Sequence, residues 1–329
     1  MLKTTSLIMA GLMLATTATA DPRAPGSNPL FTDMFTADPA PLVVGDTVYL
    51  YTGHDEARGT EMFTMKDWRV FSSKDLLTWT AHGPIMKATD FKWAAKDAWA
   101  AQTIEKDGKF YFYAAVEHDK TQPGKAIGVA VSDSPTGPFV DARGTALIHN
   151  QMTPQGPHTW DDIDPTVFID DDGSAWLIWG NFNCYYAKLK PNMIELDGPI
   201  KQFDLPHFEE GPWITRRGDI YYLTYASRDK SKDKDETISY ATAPSITGPW
   251  TFRGVLTGSG KNSFTIHPGI ITFKGKDYFF YHDASLTIGD QTGAIGRRAV
   301  RAEHLYYNPD GTMQPVEQTE AGLTAPRKD

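Results

Sequence analysis

The sequence predicts an all-β chain, a five-bladed β-propeller, on three observations. A short pattern returns five times along the 329 residues. Its openers, Asp38, Trp99, Asp164, Glu210 and His267, stand 61, 65, 46 and 57 residues apart. A unit of roughly 50–60 residues holds about four strands, the size of one blade. No long helical periodicity interrupts the chain after its first 20 residues.

Each copy reads as a β-hairpin. The first runs from Asp38-Pro39 through Gly45-Asp46 to Tyr49-Leu50-Tyr51, and the second from Trp99 through Asp107-Gly108 to Tyr111-Phe112-Tyr113. The third runs from Asp164-Pro165 through Asp172-Gly173 to Trp176–Trp179. The fourth runs from Glu210-Gly211-Pro212 through Gly218-Asp219 to Tyr221–Tyr225, and the fifth from His267-Pro268 through Gly275-Lys276 to Tyr278–Tyr281. Glycine beside Asp or Lys supplies the positive φ of a tight bend. The alternating aromatic and aliphatic residues suit half-buried strands. Third strands follow at Trp68–Ser73, Ala126–Ser132 and Ile238–Thr242, each ahead of an outer bend such as Thr136-Gly137-Pro138 or Thr247-Gly248-Pro249.

The propeller should occupy residues 28–316 as one domain, with polar and loose ends at 21–27 and 317–329. Residues 1–20 have the form of a Sec-type signal peptide: Lys3, an apolar run from Leu7 to Ala15, and Ala18-Thr19-Ala20 as the cleavage site. Export to a periplasm or to the medium is the expectation. A net charge of −9 leaves no basic excess for nucleic acid. The single cysteine, Cys184, excludes an internal disulfide and a zinc site built on several thiolates. Nine Trp and 14 Tyr pack a β core and also offer flat apolar platforms for sugars.

In a propeller the first strand of each blade lines the axis, so the five openers meet at one end of the channel. Three carboxylates, a Trp and a His would then share one pocket. Buried acids are costly unless paired or functional. Paired carboxylates across a sugar-sized gap suit glycosidic bond hydrolysis, one giving a proton to the leaving oxygen and one activating water. A third carboxylate near the acid would raise its pKa by like-charge repulsion. A His on the axis can bind a metal or water.

Together, Ala37-Asp38-Pro39, Asp162-Ile163-Asp164-Pro165 and Glu209-Glu210-Gly211-Pro212, on five repeats, resemble glycoside hydrolase family 43, whose members act on arabinose- and xylose-containing plant polysaccharides. The resemblance implies an inverting mechanism with Asp38 as general base, Glu210 as general acid and Asp164 as the residue that orients the acid and raises its pKa. Base and acid should then lie roughly 6.5–9.5 Å apart. It also implies that His267 holds a calcium ion or its water shell, and that Arg298 rather than Arg297 reaches the sugar. No organic cofactor is expected. Trp99 is a candidate stacking platform, and Trp160, His54 and Asp55 are candidates for the pocket rim. Of the adjacent acids Glu209 and Glu210, the second is preferred because it precedes Gly-Pro in line with the other openers.

The expected activity is exo-hydrolysis of terminal α-L-arabinofuranosyl or β-D-xylosyl residues from oligo- and polysaccharides. Three alternatives stay open. They are an endo-arabinanase, a retaining fructan or sucrose hydrolase on the same propeller, and a carbohydrate-binding propeller without catalysis.

Overall fold

The computed structural model describes residues 23–154, 158–232 and 234–328. The expected signal peptide, residues 1–20, lies outside them. Five antiparallel sheets follow one another around a ring, as the repeats require. Blade I comprises Thr36–Val44, Thr47–Asp55, Met65–Ser73 and Thr80–Lys87 in simple up-and-down order. Blade II is built on Ala101–Lys106, Lys109–His118, Lys125–Ser132 and Val140–Asp141. Two short strands, Ala94–Lys96 and Ile148–His149, add to it. Blade III holds Thr166–Ile169, Ala175–Trp179, Cys184–Leu189 and Lys201–Phe203. Blade IV holds Phe208–Arg217, Ile220–Ser227, Thr237–Ala243 and Thr251–Thr257. Blade V holds Gly269–Phe273, Lys276–Asp283 and Ala299–Leu305.

All five predicted hairpins form, and the bends follow local chemistry. At Asp107-Gly108 and at Lys274-Gly275 both residues take positive φ, 54° and 74° in the first and 50° and 72° in the second. That is the turn whose twist matches a hairpin. Each blade buries both faces against its neighbours, so its inner strands are apolar on both sides. Val48 and Leu50 of blade I meet Phe280 and Val300 of blade V. Tyr113 and Ile127 of blade II meet Leu177 and Trp179 of blade III. Ile178 and Tyr186 of blade III meet Leu223 and Tyr225 of blade IV. Tryptophans bring polar handles to these seams: Trp68 Nε1 donates to Trp99 O at 2.7 Å, and Trp213 Nε1 to Ile270 O at 3.0 Å.

The ring closes where the two ends of the chain meet. Leu30 N donates to Val300 O at 2.8 Å, and Thr36 N to Arg298 O at 3.0 Å, so residues 28–36 edge the three-stranded blade V. The C-terminal segment is not loose as the sequence suggested. Leu323 is buried against blades I and V, Thr319 N donates to Glu303 Oε1 at 2.7 Å, and Asn28 N donates to Glu320 O at 3.0 Å. Apolar contact and paired backbone groups hold it, and a mostly polar composition did not reveal either.

Candidate active site

The five strand starts converge. A small cavity of about 30 Å³ on the axis is lined by Asp38-Pro39, Ala100-Ala101, Asp164-Pro165, Gly211-Pro212 and His267-Pro268, one pair from each blade. Above it opens the main cavity, about 1210 Å³, which Asp38, Asp164, Glu210, His267, Trp99 and Arg298 all line.

The fourth blade enters the ring with an offset that the sequence did not show. In blade I, Ala37 pairs with Gly53 and Ala40 with Tyr51, and a bulge lies between. In blade IV, Glu210 pairs with Ala226 and Trp213 with Thr224 around the same bulge. Gly211, not Glu210, is therefore the counterpart of Asp38. Backbone dihedrals agree: φ is +52° at Asp38, +58° at Asp164 and +57° at Gly211. The bulge turns these residues toward the hub and lets Glu210 reach in from one position earlier. A left-handed conformation costs a side chain about 1–2 kcal/mol, which the aspartates tolerate and glycine avoids. A Cβ at Gly211 would also meet His267 Cδ2 at 3.0 Å. Gly211→Ala is expected to lower stability by roughly 1–3 kcal/mol and to lower kcat/KM, because His267 must move. A denaturant melt and steady-state kinetics check it; an unchanged midpoint together with an unchanged rate would contradict this account of the bulge.

His267 sits at the centre of the acids. Its Nδ1 lies 3.2 Å from Asp38 Oδ1, and its Nε2 lies 3.0 Å from Glu210 Oε1 and 3.6 Å from Asp164 Oδ2. Burial opposes its charge, but Asp164, Asp38 and Glu210 outweigh burial and push its pKa up to about 10. It is an imidazolium at neutral pH, hydrogen-bonded through Nε2 to Glu210 Oε1 and ion-paired through Nδ1 with Asp38 Oδ1. Asp38 and Glu210 thus flank one imidazole ring, each beside a different nitrogen.

Burial and charge act in opposite directions on the two carboxyls beside His267 Nε2. Asp164 is pushed up to about 8, by burial first and then by Glu210 and Asp38, against the pull of His267. Burial would raise Glu210 too, but it is lowered overall by the hydrogen bond and charge of His267, by Asn181 Nδ2 at 2.7 Å from its Oε2, and by Arg298. Asp164 is thus raised and Glu210 lowered, although burial pushes both upward. The hydrogen bond and charge of His267 outweigh burial at Glu210, while burial and the nearby carboxylates raise Asp164.

Arg298 binds Asp38 and Asp55 together. Its Nη1 donates to Asp38 Oδ1 at 3.0 Å, and its Nε and Nη2 donate to Asp55 Oδ2 and Oδ1 at 2.9 and 3.0 Å. Arg297 turns away to the carbonyls of Thr292, Ala57 and Gly59. The Oδ2 of Asp38 has no hydrogen-bond partner among the described residues and is not sealed in the interior, so it is free to meet water.

Of these candidates, Trp99 and Trp160 line the cavity, and His54 and Asp55 do not. Strand alternation sets the latter two apart: buried Asp55 turns inward to Arg298, while its neighbour His54 places Nδ1 3.1 Å from Asp67 Oδ1 on another face. Trp160, 44% exposed, stacks on His158 with ring centroids 4.1 Å apart. The Nζ of Lys125 lies 3.5 Å from the centre of the Trp99 ring and pairs with Asp97 and Glu117. Glu209 faces Arg228 and Lys230.

Sequence reasoning missed His282, Asn181 and Glu236. The His282 Nδ1 accepts the Asp38 N–H at 3.2 Å, while its Nε2 faces Thr265 O at 3.1 Å. Burial and then Arg298 hold it well below the usual histidine range, so it stays neutral. Glu236 is buried and raised well above the usual carboxylate range, by burial first and then by Glu210. These residues lie on or beside second and third strands, so the repeated opener gives no sign of them.

Asp164, Glu210 and His267 each present one ligand atom, all within 4.8 Å of one another. Two carboxylates and an imidazole nitrogen suit a divalent cation once His267 gives up its Nε2 proton. A hard ion such as calcium would draw the rest of its shell from water.

Paired carboxyls flanking one imidazole, at the hub of a five-bladed propeller, define a glycoside hydrolase. The comparisons agree. The sequence model of Glycosyl hydrolases family 43 matches residues 27–313, and the chain belongs to that family. Xylosidase/arabinosidase 43A of Humicola insolens is 29% identical, over 87% of this chain and 98% of its own. The β-D-galactofuranosidase xynD of Aspergillus niger is 30% identical, over 94% of this chain and 90% of its own. The β-xylosidase/α-arabinofuranosidase CoXyl43 from a compost metagenome was solved with xylotriose in a calcium-free form. It superposes with a TM-score of 0.78 at 28% identity, covering 90% of this chain and 98% of that one. No helix among the described residues is long and apolar enough to cross a membrane.

Proposed function

We propose that the chain is an exported exo-glycosidase that removes terminal α-L-arabinofuranosyl or β-D-xylosyl residues from arabinose- and xylose-containing plant oligo- and polysaccharides. The observation that carries this is the His267 imidazolium with Asp38 on one nitrogen and Glu210 on the other. The names of the relatives support the pentose choice, and the Lys3, Leu7–Ala15 and Ala18-Thr19-Ala20 pattern supports export.

Asp38 takes a proton from water through Oδ2, while Arg298 and His267 hold Oδ1. The water attacks the anomeric carbon from the face opposite the leaving group. Glu210 gives a proton to the departing oxygen. It first receives that proton from its cluster, by way of the His267 Nε2–H directed at Oε1. Asp164, which holds the shared proton and accepts the Gly211 N–H at 3.0 Å, restores it and fixes the backbone beside Glu210. Trp99 offers the sugar a flat face, with Trp160 farther out on the cavity wall. The cavity exceeds the roughly 300–1,000 Å³ of a common small-ligand pocket and so has room for an aglycone. Calcium held by Asp164, Glu210 and His267 would supply the positive charge that the imidazolium otherwise provides.

Aryl arabinofuranosides, xylosides and galactofuranosides, with proton NMR of the first product, test the reading. Hydrolysis of a pentoside with inversion at the anomeric carbon is the expected result. Retention points to the fructan-hydrolase type of mechanism, long products from arabinan point to an endo-arabinanase, and binding without turnover points to a carbohydrate-binding propeller. Preference for the galactofuranoside removes the pentose assignment.

A further inference from the structure

Apart from Glu209, which faces Arg228 and Lys230, four carboxyl groups lining this cavity interact electrostatically, and the mechanism uses three of them. The fourth, Glu236, stands just ahead of Thr237–Ala243, the third strand of blade IV, and is 3% exposed. Its backbone N–H donates to Phe264 O at 2.9 Å, and its Oε2 accepts the Ile266 N–H at 3.1 Å. Both bonds go to the segment that leads into His267, so the side chain is held in one orientation. The other oxygen, Oε1, has no partner among the described residues. It is not one of the sealed side-chain atoms either, and Glu236 lines the cavity with Glu210, Thr265 and His267. A carboxyl oxygen fixed at the wall of a binding cavity and left without a protein partner is completed by what enters the cavity.

We propose that Glu236 binds a hydroxyl of the terminal sugar through Oε1 and so helps to determine which pentose the site accepts. This rests on the glycosidase reading above. A site built to hydrogen-bond a hydroxyl discriminates strongly against a sugar that lacks it, because the buried group is then left unsatisfied. Arabinofuranose and xylopyranose place their hydroxyls differently around similar volumes. One fixed carboxyl at the wall therefore distinguishes them where apolar stacking on Trp99 does not.

Glu236→Gln keeps the shape and the Ile266 bond; Glu236→Leu removes every polar contact. Both are compared with the wild type on aryl arabinofuranoside and aryl xyloside, and on the analogues of each that lack one hydroxyl. For Glu236→Leu, kcat/KM is expected to fall at least about 30-fold on the better parent sugar. On one deoxy analogue, wild type and variant should agree within about threefold, the signature of a shared contact. Glu236→Gln should stay within about tenfold of wild type and change the ratio of arabinofuranoside to xyloside turnover. Equal loss on the parent and on every deoxy analogue would mean that Glu236 only supports His267, and would overturn the proposal. Unchanged kinetics in both variants would overturn it as well. Should the wild type cleave no pentoside, the glycosidase reading is what fails. Calorimetry with free arabinose and xylose then tests Glu236 alone: weaker binding by both variants supports the contact, and equal binding ends it.

Discussion

Glu210→Gln is expected to slow hydrolysis of a natural oligosaccharide by about 10²–10⁴-fold, the usual range for loss of a positioned general acid. The loss should depend on the leaving group. A dinitrophenyl pentoside departs without protonation, so the variant should approach wild-type rate on it and fall far behind on an alkyl pentoside. The pH profile carries a second signature. The acid needs a proton from the cluster, and Asp164, pushed up to about 8 by burial and the neighbouring carboxylates, loses its own as pH rises through that value. The alkaline limb of kcat/KM should therefore fall near that pH in the wild type and flatten in Glu210→Gln with the activated substrate. Equal losses on both leaving groups, with the alkaline limb intact, would remove Glu210 from the acid role.

Asp38→Asn is expected to cost a similar factor, about 10²–10⁴, with no dependence on the leaving group, because water activation is needed for every substrate. The substitution keeps the size of the side chain but removes the negative charge that Arg298 and His267 face. Two cations then share a buried site with one carboxylate fewer. The imidazolium becomes less favourable, and some stability is lost along with the rate. Measuring kcat on dinitrophenyl and alkyl pentosides beside a thermal melt separates the two effects. Wild-type kcat in Asp38→Asn on either substrate would require another base. Together the two variants distinguish acid from base by their response to one variable, the leaving group.

The propeller was legible because its signals are local. Asp107-Gly108 bends where the sequence places it, the fifth bend falls one residue earlier than read, at Lys274-Gly275, and the aromatic strands behind them alternate with the strand period. The ring of openers was legible because the five copies stand in equivalent positions. The offset of Glu210 was not, since a bulge in blade IV is a matter of pairing with the second strand. The fixed C-terminus was not legible either, because its partners Asn28 and Glu303 lie on other elements. His54 and Asp55 both stand at the end of the first aromatic strand, yet neither lines the cavity: Asp55 is buried against Arg298 and His54 faces Asp67.

The sequence by itself determined five blades, one hub and the three acids brought to it, because periodicity and turn chemistry act between residues a few positions apart. Tertiary structure alone decided which acid is raised and which lowered, which arginine reaches Asp38 and which further carboxyl faces the cavity. Charge and burial act through space: Arg298 meets Asp55 across 243 residues, and His267 lies between acids from three different blades.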